Sequence, residues 1–238
     1  MMRLSAPVYQ LKRRAKSLAR KEKIALHEAL DRIAREEGFA GWSLLSSRLA
    51  MNSPAKALLS RLVEGDLLLL GARPGHGKTL LGLQLLIDAA REGRRAVFYT
   101  LEYTEREAME RIRSLDEGDH GICDKLEIVT SDEISADFVV EHLSGSPRGT
   151  VAVIDYLQIL DQQRSKPPLS EQLLVLQEFA RRTGAILGFV SQIDRSFDPE
   201  RNPVPGVADI RLPNPIQLGM FSRACFLHNG AVQFQDVA

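Results

Sequence analysis

Short apolar runs recur along the chain, and most are followed by a stretch with helical spacing. Residues 67–70, 94–101, 126–129, 151–155 and 185–190 read as buried strands, because their apolar positions are nearly continuous rather than alternating. Apolar residues at helical intervals predict helices over 80–90, 104–115, 136–143 and 170–182. Thr104 with Glu107 three positions on is a capping box that fixes one helix start. Near the C-terminus, 223–227 and 231–234 flank His228-Asn229-Gly230, and Asn-Gly between apolar alternations predicts a hairpin. Strands and helices in alternation predict an α/β fold with a mostly parallel twisted sheet covered by helices on both faces.

Two regions depart from that pattern. Residues 8–37 carry two helical patterns ended by Gly38, and Phe39 and Trp42 follow as anchors that dock this part on another surface. They predict a basic helical appendage over 1–47, ahead of a core over 48–238, with 50–64 as a helical lead-in. Residues 161–168 read as an exposed loop, and 193–217, polar and proline-rich without any period, as a mobile loop.

Composition narrows the class. With 238 residues, 44% hydrophobic and 26% charged, the chain has the make-up of a soluble globular protein. No apolar run is long enough for a membrane span or a secretory signal, so a cytoplasmic protein without a membrane partner is expected. Cys123 and Cys225 exclude a disulfide framework and a cysteine-rich metal site, and both read as packed thiols. The net charge of zero hides an asymmetry. Residues 1–24 hold eight basic residues and Glu22 as the one acid, which leaves 23 basic against 30 acidic residues in the rest. Lys12, Arg13 and Lys16 lie on this basic arm, which suits a phosphate backbone or an acidic neighbouring surface.

The chemistry concentrates where the run at 67–70 ends. Ala72, Arg73, Pro74, Gly75, His76, Gly77, Lys78, Thr79 and Leu80 form a glycine-rich turn between a strand and a helix. Backbone N–H groups of such a loop and of the first helical turn cradle phosphate oxygens. Lys78 is placed to reach the β- and γ-phosphates of ATP, and the Thr79 hydroxyl to ligate Mg²⁺. The usual motif has glycine where Ala72 stands, a change that is harmless only in ordinary backbone conformation. Glu102, Asp155 and Gln192 fall at the carboxyl ends of three other strands, the edge where an open α/β sheet binds ligands. If the four strands are neighbours, Asp155 associates with Mg²⁺, Glu102 polarises water as a catalytic base, and Gln192 hydrogen-bonds the terminal phosphate. Each has a plainer reading: a helix cap for Asp155, a surface glutamate for Glu102, a turn amide for Gln192. Arg73 borders the site, and His76 receives no role. His27, His120, His142 and His228 show no metal-ligand spacing.

The loop 72–79 resembles the phosphate loop of bacterial, DnaB-like replicative DNA helicases. Further matching pieces are Leu101-Glu102 with Arg111 nine residues beyond the glutamate, Val153-Ile154-Asp155-Tyr156-Leu157-Gln158, and Ser191-Gln192-Ile193-Asp194-Arg195, with Ala208-Asp209-Ile210-Arg211 a weaker match. The resemblance covers roughly 54–234. It implies a RecA-like P-loop NTPase, in that family a six-membered homo-oligomer around single-stranded DNA with ATP between subunits. It also implies Glu102 as the base, Asp155 as the magnesium carboxylate, Gln192 as the γ-phosphate sensor and 193–208 as the DNA-facing loop, with Arg195 and Arg201 its basic residues. Asp194, Asp198 and Glu200 oppose that charge. The family's Lys/Arg-Asn-Gly segment, a basic finger aimed at the neighbour's nucleotide, is His228-Asn229-Gly230 here, and histidine is mostly neutral at pH 7. Arg223 is the substitute at hand. Two functions remain open at this point: an ATPase acting on DNA, and an ATP-binding conformational switch with weak hydrolysis and no unwinding.

Overall fold

The computed structural model describes residues 4–6, 8–51, 53–116, 121–122, 125–161, 166–211, 217–229 and 231–237. His120, Cys123 and Gly230 lie outside them. The chain divides into two compact units, Met1–Lys56 and Ala57–Ala238. In the first, α1 (Val8–Glu22) and α2 (Leu26–Glu36) pack through Leu11 and Ala15 against Ala29 and Ile33. Helix α3 (Trp42–Met51) follows, and Ala34, Phe39 and Leu45 form a second small cluster with Trp42 beside it. Phe39 and Trp42 thus fill this unit's own interior. Gly38, at φ +86°, takes the left-handed conformation that turns the chain out of α2. Helix α4 (Pro54–Leu59) spans the boundary between the units.

The second unit is an α/β layer structure. In chain order come β1 (Leu67–Ala72), α5 (Lys78–Arg91), β2 (Ala96–Thr100), α6 (Glu105–Leu115), β3 (Leu126–Val129), α7 (Ala136–His142), β4 (Val151–Asp155), α8 (Leu169–Thr183), β5 (Ile186–Gln192), β6 (Arg223–His228) and β7 (Ala231–Asp236). They form a seven-stranded sheet in the order β3-β2-β4-β5-β1-β6-β7, parallel except for antiparallel β7. Every residue of β1, β2 and β4 is buried, which is why their sequences are apolar without alternation. Leu67, Leu69, Val97, Tyr99, Ile154 and Phe189 share one core with Leu173, Leu176 and Phe179 of α8.

Glycine is required where the backbone of β1 meets β6. A Cβ on Gly71 would stand 2.6 Å from ring carbons of Phe226. The capping box of α6 forms as its sequence predicts, with the Thr104 side chain accepting from the Glu107 N–H and Glu107 accepting from the Thr104 N–H. Of the stretch 193–217, the described part is folded onto the sheet. Ile193 bridges Ile210, the Asp194 N–H donates to the Asp209 carbonyl at 2.7 Å, and Phe197 is buried. A lone aromatic ring and one β-bridge hold a segment that has no periodicity of its own.

Candidate functional site

Strands β2, β4, β5 and β1 are consecutive neighbours, so their carboxyl ends form one continuous edge. Thr100 pairs with Asp155, Asp155 with Val190, and Gln192 with Ala72. Ala72 closes β1 in ordinary extended backbone, and the positive-φ positions of the loop are Gly75 (+80°) and Gly77 (+87°). The substitution of alanine for glycine at 72 therefore carries no conformational cost, whereas side chains at 75 and 77 would be strained. No atom beyond the chain neighbours comes within 4 Å of where a Cβ on either glycine would stand, so the turn is open at both positions. Gly77 precedes α5 without any side-chain cap, which leaves the first-turn N–H groups available to an anion. Lys78 and Thr79 follow at once, and both are buried.

Asp155 is fully buried, and neither carboxylate oxygen meets a hydrogen-bond donor in ordinary geometry. Burial pushes its carboxyl up to about 6; the neighbouring Glu102 charge acts in the same direction. The nearby Thr79 hydroxyl and the Lys78 and Arg111 charges act against it. These five residues therefore lie within electrostatic reach of one another. An orphaned buried carboxylate beside a hydroxyl, at the foot of an open anion cradle, fits a hydrated divalent cation carried in with phosphates. Mg²⁺ is held in this way, by one or two protein oxygens with water and phosphate making up the rest. Among the described residues no group of three or more His, Cys, Asp or Glu side chains could hold a metal by themselves. Glu102 lies just past β2, exposed, with its N–H donating to the Thr100 hydroxyl at 3.1 Å.

Gln192 opens into a cavity of about 310 Å³ lined by Arg73, Pro74, Gln192, Ile193, Arg195 and Arg211. Three guanidinium groups and an amide beside the phosphate loop make this cleft suited to anions. Arg201 stands apart from it, exposed, with Asp198 3.5 Å away. In the first unit, Arg13 and Lys16 are exposed on α1 and Lys12 is half-buried, its ammonium pushed below the usual lysine range by burial and by Lys16.

His76 and His228 interact directly. Their rings stack 5.1 Å apart at 15°, and the Asn229 N–H donates to Nδ1 of His76 at 3.2 Å. His228 is buried, and burial, His76 and Arg73 push it below the usual histidine range. His228 thus packs on the phosphate loop of its own chain. Arg223 is committed as well, to Asp236 and, at 3.7 Å, to Asp66. Three contributors went unassigned by residue type and spacing: Arg211 in the cleft, Arg111 near Asp155, and Phe197. Arg111 and Arg211 stand in the pieces that resemble the helicases but received no role there, and Phe197 is the one aromatic residue in 193–217. Cys225 is a buried thiol pushed up to about 12 by that burial.

No protein-family model matches the chain. Two curated proteins resemble it in sequence, each at 24% identity. The replicative DNA helicase DnaB of Mycoplasma pneumoniae aligns over 204 residues, covering 69% of this chain. A probable plasmid replicative DNA helicase of Chlamydia muridarum aligns over 180 residues, covering 63%. The chain spans 43% and 40% of the lengths of these relatives. Among solved structures, one described as an ATPase domain superposes with a TM-score of 0.57 at 16% identity, covering 79% of this chain and 82% of that one. A DnaB-like replicative helicase, whose structure concerns its interactions with primase, gives 0.56 at 16% identity, covering 91% and 66%. Among the described residues, no helix is long and apolar enough to cross a membrane.

Proposed function

Starting from a RecA-like P-loop ATPase fold that resembles the motor domain of DnaB-like replicative helicases, we propose that the chain binds and hydrolyses ATP with Mg²⁺ and couples this to single-stranded DNA. The observation that carries the proposal is the buried Asp155 carboxylate with two unpartnered oxygens, beside Thr79 and Lys78. Thr79 and Asp155 would hold the metal, which supplies positive charge to the terminal phosphates. Backbone N–H groups of the glycine turn and the Lys78 ammonium bind the phosphate oxygens. Glu102 orients the attacking water and takes its proton, and the Gln192 amide donates to the terminal phosphate. Arg195 and Arg211 of the arginine cleft would meet polynucleotide phosphates. Lys12, Arg13 and Lys16 offer a separate basic face in the first unit, and Arg201 contributes least because Asp198 accompanies it.

A second reading, an ATP-dependent conformational switch with slow turnover, is favoured by one observation. His228 is buried against its own phosphate loop and Arg223 is paired with Asp66 and Asp236, so neither is held out as a cation toward a neighbouring subunit. A homo-oligomer, six-membered in the family it resembles, would then need another residue to complete the site. The two readings separate in one experiment: ATP turnover with and without single-stranded DNA, with molecular mass measured under nucleotide. Stimulation by DNA of about tenfold or more in an oligomer supports the motor; no stimulation in a monomer or dimer supports the switch. The absence of Mg·ATP binding at millimolar concentration rejects both.

A further inference from the structure

Arg73 belongs to the phosphate loop, yet its guanidinium points away to the segment that follows β5. It donates to the carbonyls of Arg195, at 3.4 Å, and of Phe197, and lies over the Phe197 ring at 5.3 Å. The same ring packs against His228 in a T-shaped arrangement at 5.5 Å, and His228 stacks on His76, again in the phosphate loop. The circuit runs from phosphate loop to Phe197, to the β6–β7 hairpin, and back to the phosphate loop. Phe197 is its hub and is buried, although the residues on either side of it are exposed. The segment's base is closed independently. The Ile193 N–H donates to the Ala72 carbonyl at 3.1 Å, Asp194 to Asp209, and Arg211 to the Gln192 carbonyl at 2.8 Å.

We infer that Phe197 is a positioning residue that latches the 194–209 segment to the phosphate loop, so that nucleotide occupancy and the placement of this segment form one coupled equilibrium. This is a second connection between the two, distinct from Gln192. Gln192 reaches the segment through the end of β5, whereas Phe197 reaches it from the outside of the phosphate loop, through Arg73 and the histidine pair. A cation over a ring and a ring edge on a ring are short-ranged and directional. A rearrangement of the backbone from Arg73 to His76 would alter both contacts that hold Phe197. The latched segment carries Arg195 into the arginine cleft, while Arg201 stays outside it beside Asp198, so what the latch positions is the Arg195 guanidinium. The inference rests on the ATP reading above.

The test is amide hydrogen exchange of the full chain with and without Mg²⁺ and a non-hydrolysable ATP analogue, with calorimetry on the same samples. The amides to follow are those of Phe197, Arg201 and Asn202, each bonded within the segment. In the unmodified chain their exchange should change by about fivefold or more on nucleotide binding. Phe197→Leu keeps apolar bulk but loses the ring. It should bind the analogue within about threefold of the unmodified chain, while the nucleotide-dependent change falls below about twofold. Phe197→Tyr should restore it. A full nucleotide-dependent change in Phe197→Leu would overturn the latch, and so would an unmodified chain that binds nucleotide with no change at these amides. An unmodified chain that shows no binding by calorimetry overturns the functional reading itself. The measurement on the unmodified chain keeps its force even if the leucine variant fails to fold.

Discussion

Asp155→Asn should make the nucleotide-free protein more stable while disabling it. The carboxylate is fully buried, no donor meets its oxygens in ordinary geometry, and burial outweighs the Thr79 hydroxyl and the Lys78 charge in raising its pKa from 3.8 to about 6. At about 1.4 kcal/mol for each tenfold change in proton affinity, keeping the ionised form in place costs the fold about 3 kcal/mol at neutral pH. The sign follows from the folded state holding this proton more tightly than the unfolded chain does. Below the unfolded value of 3.8 both states are protonated and the cost vanishes; it grows as pH rises toward 6 and is constant above that. The asparagine variant should therefore unfold with a free energy higher by up to about 3 kcal/mol near pH 7.5, and by only about 1 kcal/mol near pH 4.5. Urea denaturation of both proteins at the two pH values, without magnesium or nucleotide, measures this difference directly. Other titrating groups are common to both proteins and cancel. The same variant should lose Mg²⁺-dependent nucleotide binding by calorimetry. A variant less stable than its parent at pH 7.5, or one whose gain is the same at both pH values, would refute the reasoning, because either result means the carboxylate has a native partner.

Two further outcomes test other parts of the site and its support. Glu102→Gln should bind Mg·ATP within a few-fold of the parent, while phosphate release slows by about a hundredfold or more; unchanged release removes Glu102 from the role of base. Gly71→Ala places a methyl group 2.6 Å from the Phe226 ring. Overpacking of this kind costs about 1–3 kcal/mol, readable as a lower denaturation midpoint, and an unaltered midpoint would mean that β6 can move aside freely.

The parallel sheet, the glycine turn and the four strand ends were legible because each rests on local signals: continuous apolar runs, positive-φ glycines at 75 and 77, polar residues just where those runs stop. The placement of Ala72 was not: the apolar run stops at Leu70 and assigns Ala72 to the turn, whereas pairing with Gln192 and Leu227 extends β1 through it. The His76–His228 stack was not, because it joins residues 152 positions apart through a sheet register that no local spacing encodes. Within residues 193–217, the contacts of the described part with the sheet were not legible. Polarity and proline describe a chain that does not form its own helix or strand, but they do not say whether one buried ring and one bridge will hold it. The anchors Phe39 and Trp42 illustrate the converse: their burial was expected, but they turn inward on α2 and α3.

The order of the sheet carries a consequence for biosynthesis. Leu67 of β1 pairs with Leu187 on one flank, and Leu68 with Arg223 on the other. A chain emerging from the ribosome exposes its glycine turn well before β5 and β6, the two strands that pair with β1, have been made. Parallel pairings of such long range form late and slowly. The glycine turn should thus take its final shape only after both β5 and β6 have been made, however early its own residues are synthesised.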